Sequence, residues 1–527
     1  MLPVYTSDEM RGCDAAAIEQ YGIPGIVLME NASRGAVDEA ETILGPLRDT
    51  WIIIISGKGN NGGDGFCMAR HFVNRGALVE VFTLGPDDAS KGDAKTNLDI
   101  LRQMEKDTGR LHVHLLSSTA SLEELLLKGP AFVVDAMLGT GLSSPVKGEI
   151  AEIIEVLNRS DVPVLAVDMP TGINADTGDV LGVAVEADLT CTMGGLKRGL
   201  LLRDGRRYAG VVRSIDIGMP REGYAQDATS TFQLEQTDIT DWLPRRSFDV
   251  HKYQMGSIFV IAGSVGLTGA AAMASEAALR SGAGIVKLGI PERLNAVMET
   301  KLTEVMTVPF TETGEGTLAL ADYDAMLEYI NSSTVGIVGP GLSRQYETQN
   351  LARKLIEHAQ VPLLLDADAL FALSGHLDVL HQTEADVILT PHVGEFARLV
   401  SQSREEIETK RIDIARTFAT EFGATLVLKG APTVIAAKDG RVFVNSTGNA
   451  GMATAGAGDV LSGIIAGLAA QGCAAIEAAC AGVYLHGLAG DHARDEMGEY
   501  GLIATDLISS FAEILREAAL RPFSGTS

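Results

Sequence analysis

Cysteine is scarce in this chain: five residues among 527, namely Cys13, Cys67, Cys191, Cys473 and Cys480, with no CxxC pair. That count excludes a disulfide framework and a cysteine-built zinc site, and free thiols suit a reducing, cytoplasmic setting. Positive charge is also short. Lys and Arg number 42 against 69 Asp and Glu, a formal net charge of −27. With no Lys/Arg run to offset that charge, neither nucleic acid nor an anionic membrane is an expected partner. The first ten residues lack the apolar core of a secretory leader and already carry Asp8 and Glu9. The weakly polar stretch from Val460 to Gly490 is interrupted by Gln471, Glu477 and His486 and is rich in Ala and Gly. It predicts two closely packed buried helices rather than a membrane span. A Walker A loop is missing, since no Lys-Ser/Thr pair follows a glycine-rich turn, which argues against a P-loop enzyme. There is no short-period repeat.

What is present is apolar material, 46% of the chain, enough to bury two or three cores. Thr6 and Glu9 fit a capping box, and Met10, Cys13, Ala17, Ile18 and Tyr21 recur at helical spacing until Gly22, Pro24 and Gly25. Short apolar runs follow at Trp51 to Ile55, Val79 to Phe82, Phe132 to Val134 and Val164 to Val167. They alternate with amphipathic segments such as Ile150 to Leu157. This alternation predicts a parallel sheet covered on both faces. The pattern lapses from Gly218 to Ser247, so a boundary is placed near Tyr224, giving domains 1–224 and 225–527. A second α/β series then runs through Ile258 to Ile261, a helix from Ala270 to Arg280, and strands at Ile285 to Leu288, Val335 to Val338, Leu363 to Leu365, Val387 to Leu389 and Thr425 to Leu428.

Polar loops close several of these strands, where open α/β sheets bind ligands. Gly57 to Gly65, GKGNNGGDG, follows a strand and is expected to lead into a helix near Phe66. Such a loop brings backbone amides close to an anion, although composition alone also allows a plain flexible turn. Asp135, ahead of the GTGL run at Gly139 to Leu142, and Asp168, ahead of Pro170, Thr171 and Gly172, are strand-end carboxylates. Singly each would be a cap or turn residue; together with the first loop they outline a pocket. In the second half, Asn449 to Gly463 contains the small-residue run Ala455 to Gly458 and then Asp459 at a helix start. Successive amides there would cradle a phosphate, with Asp459 either a helix cap or a general base.

The segments Arg11 to Ala32, GNNGGDG, the DAMLGTGL run from Asp135 and the DMPTGINADTG run from Asp168 resemble the amino-terminal domain of the bifunctional NAD(P)H-hydrate repair enzymes. The resemblance implies a Rossmann-like three-layer parallel sheet. It also implies that Asn60, Asn61, Gly62, Gly63 and Asp64, with Gly139, Thr140, Gly141, Leu142, Ser143, Ser144 and Pro145, hold the hydrate. Asp168 would contact the reacting end, and Asn61, Asp135 and Thr171 would hold K⁺, whose preference for oxygen ligands this set meets. The reaction implied is inversion at C6 of the hydrated nicotinamide, with Asp168 stabilising an iminium-like cation and shuttling the proton.

GAGD followed by an apolar helix resembles the ribokinase-like superfamily. GPGLS from Gly339, DADAL from Asp366, TPHVGE from Thr390, KGAPT from Lys429 and AGVYLHGLAGD from Ala481 narrow the likeness to the NAD(P)H-hydrate dehydratase domain. This implies a ribokinase-like α/β/α fold in which Lys429, Gly430, Ala431, Pro432, Thr433 and Gly458 contact the adenine nucleotide. Ala270, Gly341, His392 and Asp459 would contact the hydrate. The implied chemistry is phosphorylation of the C6 oxygen with Asp459 as base, Mg²⁺ with ADP or ATP as donor, and expulsion of phosphate to restore NAD(P)H. NADHX and NADPHX are the implied substrates, and a homo-oligomer is expected. Two positions depart from the family: Gly is usual two places after the His-Lys pair, and here His251-Lys252 is followed by Tyr253, while Ala457 stands where Thr is frequent. A small-molecule kinase and a non-enzymatic scaffold share parts of this pattern.

Overall fold

In the computed structural model, which describes residues 1–116, 118–220 and 229–519, the run after Thr50 is the strand Trp51–Ser56, with Ile52, Ile53, Ile54 and Ile55 all fully buried. A strand covered on both faces reads as a continuous apolar run rather than an alternation. Ile52 and Ile54 pack into one cluster, with helices Gly25–Leu44 and Asn60–Asn74; Ile53 and Ile55 pack into another, with helix Glu149–Arg159. These are the two outer layers of the predicted sandwich.

The chain divides into two compact units, Leu2–Thr231, and Phe232–Ser527 with Met1; the boundary expected near Tyr224 lies outside the described residues. In the first unit the strands run in the order Leu111–Leu115, Leu78–Thr83, Trp51–Ser56, Phe132–Ala136, Val164–Val167, Leu189–Met193, Val211–Ile215, and every neighbouring pair is parallel. The chain builds outward from Trp51–Ser56 in one direction and then reverses to Phe132–Ala136. That reversal sends the loops after Ser56 and Ala136 to opposite sides and opens a crevice at the carboxyl edge.

In the second unit the strands run Met306–Phe310, Ile285–Pro291, Ser257–Ile261, Val335–Val338, Leu363–Leu365, Val387–Leu389, Thr425–Leu428 in parallel. Two antiparallel strands, Val434–Ala436 and Val442–Val444, continue the sheet. Gly339, Asp366, Thr390 and Lys429 each follow directly on a strand end, so four separated motifs meet on one edge. The weakly polar stretch forms two helices, Ala457–Ala470 and Ala475–Met497. Among the described residues no helix is long and apolar enough to cross a membrane. Glycine sets the close packing of these two helices: a Cβ on Gly482 would lie 2.6 Å from Ile465 Cγ1.

Two local expectations need correction. The helix expected near Phe66 begins at Asn60, and Asp135 lies inside its strand, which extends to Ala136. Glycine in Gly62, Gly63 and Gly65 is therefore not a sign of loop. A Cβ on these residues would stand 2.0 Å from the Gly57 carbonyl, 2.9 Å from Ala94 Cα and 2.6 Å from Ala136 Cβ, respectively. They are helical positions where neighbouring backbone comes too close for a side chain.

Candidate active sites

The crevice of the first unit is a cavity of about 870 Å³, lined among others by Asn60, Asn61, Asp64, Gly139, Thr140, Gly141 and Asp168. These stem from three strand ends, so the topology brings together loops that lie far apart in sequence. Gly62 and Gly63 do not line it; they are buried against neighbouring backbone. Leu142, Ser143, Ser144 and Pro145 continue the same loop beyond the lining.

Asp168 follows Val164–Val167 with a backbone φ of 67°, a left-handed conformation that is uncommon outside glycine and concentrates at functional sites. Its Oδ1 accepts from Lys197 Nζ at 2.5 Å, Met193 N at 3.1 Å and Thr192 Oγ1 at 3.3 Å. Lys197 is 1% exposed and also donates to Thr192 Oγ1 and the Met193 carbonyl. A buried ammonium must be paired, and this one spends its three protons holding one oxygen of Asp168 and the turn around it. Sequence reasoning missed Lys197, whose only signal was a cation inside the apolar run GGLKRGLLL. Asp64 lies half-buried in the same cavity. Burial, then the Asp168 and Asp14 charges, raise its carboxyl well above the ordinary range, with Lys197 opposing.

Below the cavity floor, Thr171 donates from N and Oγ1 to the two oxygens of Asp135, at 2.8 and 2.7 Å, and both residues are fully buried. Asn61 sits against Gly139, where a Cβ would be 3.3 Å from its amide oxygen, and its buried amide nitrogen has no hydrogen-bond partner among the described residues. Burial pushes Asp135 up to about 6 despite the Thr171 and Met137 hydrogen bonds. The Asp135 carboxylate, the Thr171 hydroxyl and the Asn61 side-chain oxygen make an all-oxygen set that fits a hard monovalent cation.

In the second unit Asp459 occupies the first turn of helix Ala457–Ala470, which is preceded by Gly456 in a left-handed conformation. The cap is thus Gly456, leaving the Asp459 carboxyl available for chemistry. Burial, then the Asp366 charge, pushes it up to about 7; Lys429 pulls the other way, and Asp368 and Glu395 add to the rise. Lys429 Nζ bonds Asp366 at 2.9 Å, and a Cβ on Gly458 would lie 3.0 Å from that nitrogen. The ammonium therefore stands beside the helix amino terminus. Burial opposes its charge, but Asp366 and Glu395 hold it above the usual range. Asp366 is itself buried and takes a second hydrogen bond from Ser462 Oγ at 2.8 Å.

Around this centre, Gly341 and Ala270 are adjacent, with 3.2 Å from a Gly341 Cβ to Ala270 Cβ. His392 caps helix Val393–Val400 through Nδ1, which accepts from Gly394 N and Glu395 N, and its Nε2 lies 3.6 Å from a Glu395 carboxylate oxygen. The stretch from Gly430 to Thr433 is closed by Thr433 Oγ1 donating to the Gly430 carbonyl, with Ala431–Pro432 a cis peptide between them. The buried Arg411, not anticipated from sequence, donates to the Lys429 carbonyl at 2.7 Å. Of the two departures, Ala457 opens the helix and Tyr253 is 70% exposed, with Lys252 Nζ over its ring at 5.3 Å.

Residues 25–199 match the family described as YjeF-related protein N-terminus, and residues 258–513 match the NAD(P)H-hydrate dehydratase family. The chain is 42% identical to a bifunctional NAD(P)H-hydrate repair enzyme of Moorella thermoacetica over 97% of this chain and 96% of that protein. It is 33% identical to that of Escherichia coli over 97% and 94%. Among solved structures, an ADP/ATP-dependent NAD(P)H-hydrate dehydratase of Bacillus subtilis, co-crystallized with ATP/Mg²⁺, is 29% identical and covers 55% of this chain and 98% of its own, with a TM-score of 0.48. With both family models matched in order and relatives aligned from end to end, the chain belongs to the family of bifunctional NAD(P)H-hydrate repair enzymes.

Proposed function

We propose that the first unit interconverts the R and S hydrates of NADH and NADPH, and that the second dehydrates the S epimer at the expense of an adenine nucleotide. The observation that carries the reading is Asp459: a half-buried carboxyl in the first turn of a helix, beside the Lys429 ammonium, with its proton affinity brought near neutrality. Such a group accepts a proton from a hydroxyl while the helix amino terminus and Lys429 face the phosphoryl group being transferred. Asp459 takes the C6 hydroxyl proton as that oxygen attacks phosphorus. The ring nitrogen's electron pair then expels phosphate and restores the reduced ring. Lys429, Gly430, Ala431, Pro432, Thr433 and Gly458 form the nucleotide side, and Ala270, Gly341 and His392 the hydrate side. Mg²⁺ bound with the nucleotide neutralises charge on the transferring group, and Asp368 and Glu395 bring further carboxylate oxygens to this site. ADP, yielding AMP, is the donor favoured for fused forms.

In the first unit, Asp168 faces the C6 region from the strand end, and the loops containing Asn60, Asn61 and Asp64 and running from Gly139 to Pro145 enclose the hydrate. Asn61, Asp135 and Thr171 would hold K⁺, which would supply positive charge where those loops meet. The test mixes prepared hydrate with ADP or ATP and follows reduced-nicotinamide absorbance. Return of absorbance with release of phosphate supports the assignment. A stable phosphoester product identifies a small-molecule kinase instead.

A further inference from the structure

Loss of a hydroxyl from C6 needs a proton donor, because hydroxide is a poor leaving group, and its return needs an acceptor. Lys197 cannot be that donor, since its three protons are committed to Asp168, Thr192 and the Met193 carbonyl. Asp168 has one oxygen filled by three donors, while among the described residues no hydrogen bond reaches its Oδ2. Across the same cavity stands Asp64, whose carboxyl likewise has no hydrogen-bond partner among the described residues. Gly62, Gly63 and Gly65 around it bring backbone and helices close, so Asp64 is pressed among neighbours without being tied to any of them. Asp14 also borders the cavity, as do Asp93, Glu149, Arg11, Lys58 and Lys147; Glu149, Arg11, Lys58 and Lys147 are exposed.

Resting on the epimerase reading, we infer that Asp64 is the proton donor of the first unit and that Lys197 is a positioning residue that keeps the free oxygen of Asp168 turned to the cation. The C6–O bond breaks as Asp64 passes its carboxyl proton to the departing hydroxyl, forming water, and the ring nitrogen's pair forms the C=N bond. Water then adds to C6 from the Asp168 side, the C=N pair returns to nitrogen, and the surplus proton moves to Asp168. Exchange through solvent returns a proton to Asp64, so the cycle balances. Burial and the neighbouring Asp168 and Asp14 charges keep Asp64 protonated for the task, against the opposing Lys197.

The experiment uses the full chain with a prepared mixture of epimers, separated chromatographically without nucleotide. Asp64→Asn is expected to lower kcat for epimer exchange by about 10²-fold or more with KM little changed, and Asp64→Glu to restore much of it. For the unaltered protein, kcat should hold steady through neutral pH and fall on the alkaline side as Asp64 loses its proton. Exchange at full rate in Asp64→Asn, or a kcat that rises with pH through neutrality, overturns the proposal. Absence of exchange above the buffer rate in the unaltered protein instead overturns the epimerase reading beneath it.

Discussion

Asp459 carries a tension between stability and chemistry. Its folded-state affinity for a proton is near 7, against an ordinary value of 3.8. The folded protein thus binds that proton more tightly than the unfolded chain does. The associated stability is complete below about pH 4 and is lost as pH rises through 7. Asp459→Asn should therefore raise stability at pH 8 by about 1–3 kcal/mol, a figure discounted for partial exposure. It should also abolish nucleotide-dependent recovery of NADH, while calorimetry at pH 5 shows a smaller gain. In the unaltered protein kcat/KM for dehydration should climb with pH and level off above about 7, because the base works only when ionised. Lys197 makes the converse case. Lys197→Met removes the buried ammonium paired with Asp168 and should cost about 3 kcal/mol. Pairing it with Asp168→Asn should recover part of that loss, a coupling that a double-mutant cycle in urea measures directly. Neither residue's partner could be read from the chain, since 29 positions separate Asp168 from Lys197.

At the level of elements, the helix Asn60–Asn74 shows why glycine was misread. Gly63→Ala gains helix propensity yet drives a methyl to within 2.9 Å of Ala94 Cα, which cannot swing away. The expected result is a net loss of about 1–3 kcal/mol in the first unit's unfolding. Gly12, in helix Ser7–Glu19 with nothing within 4 Å of its Cβ position, is the contrast. Gly12→Ala should stabilise by about 0.5–1 kcal/mol. The two substitutions are identical in sequence terms and opposite in outcome, and urea titration of both decides the matter. Elements with strong periodicity or long apolar runs were legible. The strands Val164–Val167, Val335–Val338, Leu363–Leu365, Val387–Leu389 and Thr425–Leu428 fall where the pattern placed them. Leu111–Leu115, Leu189–Met193 and Met306–Phe310 were not identified: LHVHL and LTCTM mix polar side chains into short runs, and MTVPF contains a proline.

For the molecule as a whole, one chain carrying both reactions should consume a mixture of epimers completely when ADP is present. Asp168→Asn should halt recovery once the S fraction is exhausted, apart from slow exchange in buffer. Asp459→Asn should leave epimers exchanging without any recovery. Complementation by mixing these two proteins, followed by absorbance, should restore complete conversion, because the intermediate epimer is a free small molecule.

The order of strands and helices, the division into two α/β halves and the motif residues at strand ends were decided by the sequence itself, because hydrophobic period and loop chemistry are local properties. Which of those residues face one another was decided only in three dimensions. The pairing of Lys197 with Asp168, the placement of Lys429 between Asp366 and the helix of Asp459, and the shift of proton affinities at each site depend on burial and on charges brought together from distant segments. Electrostatic energy depends on spatial separation and solvent exposure, quantities that come into existence when the sheets form and their carboxyl edges close.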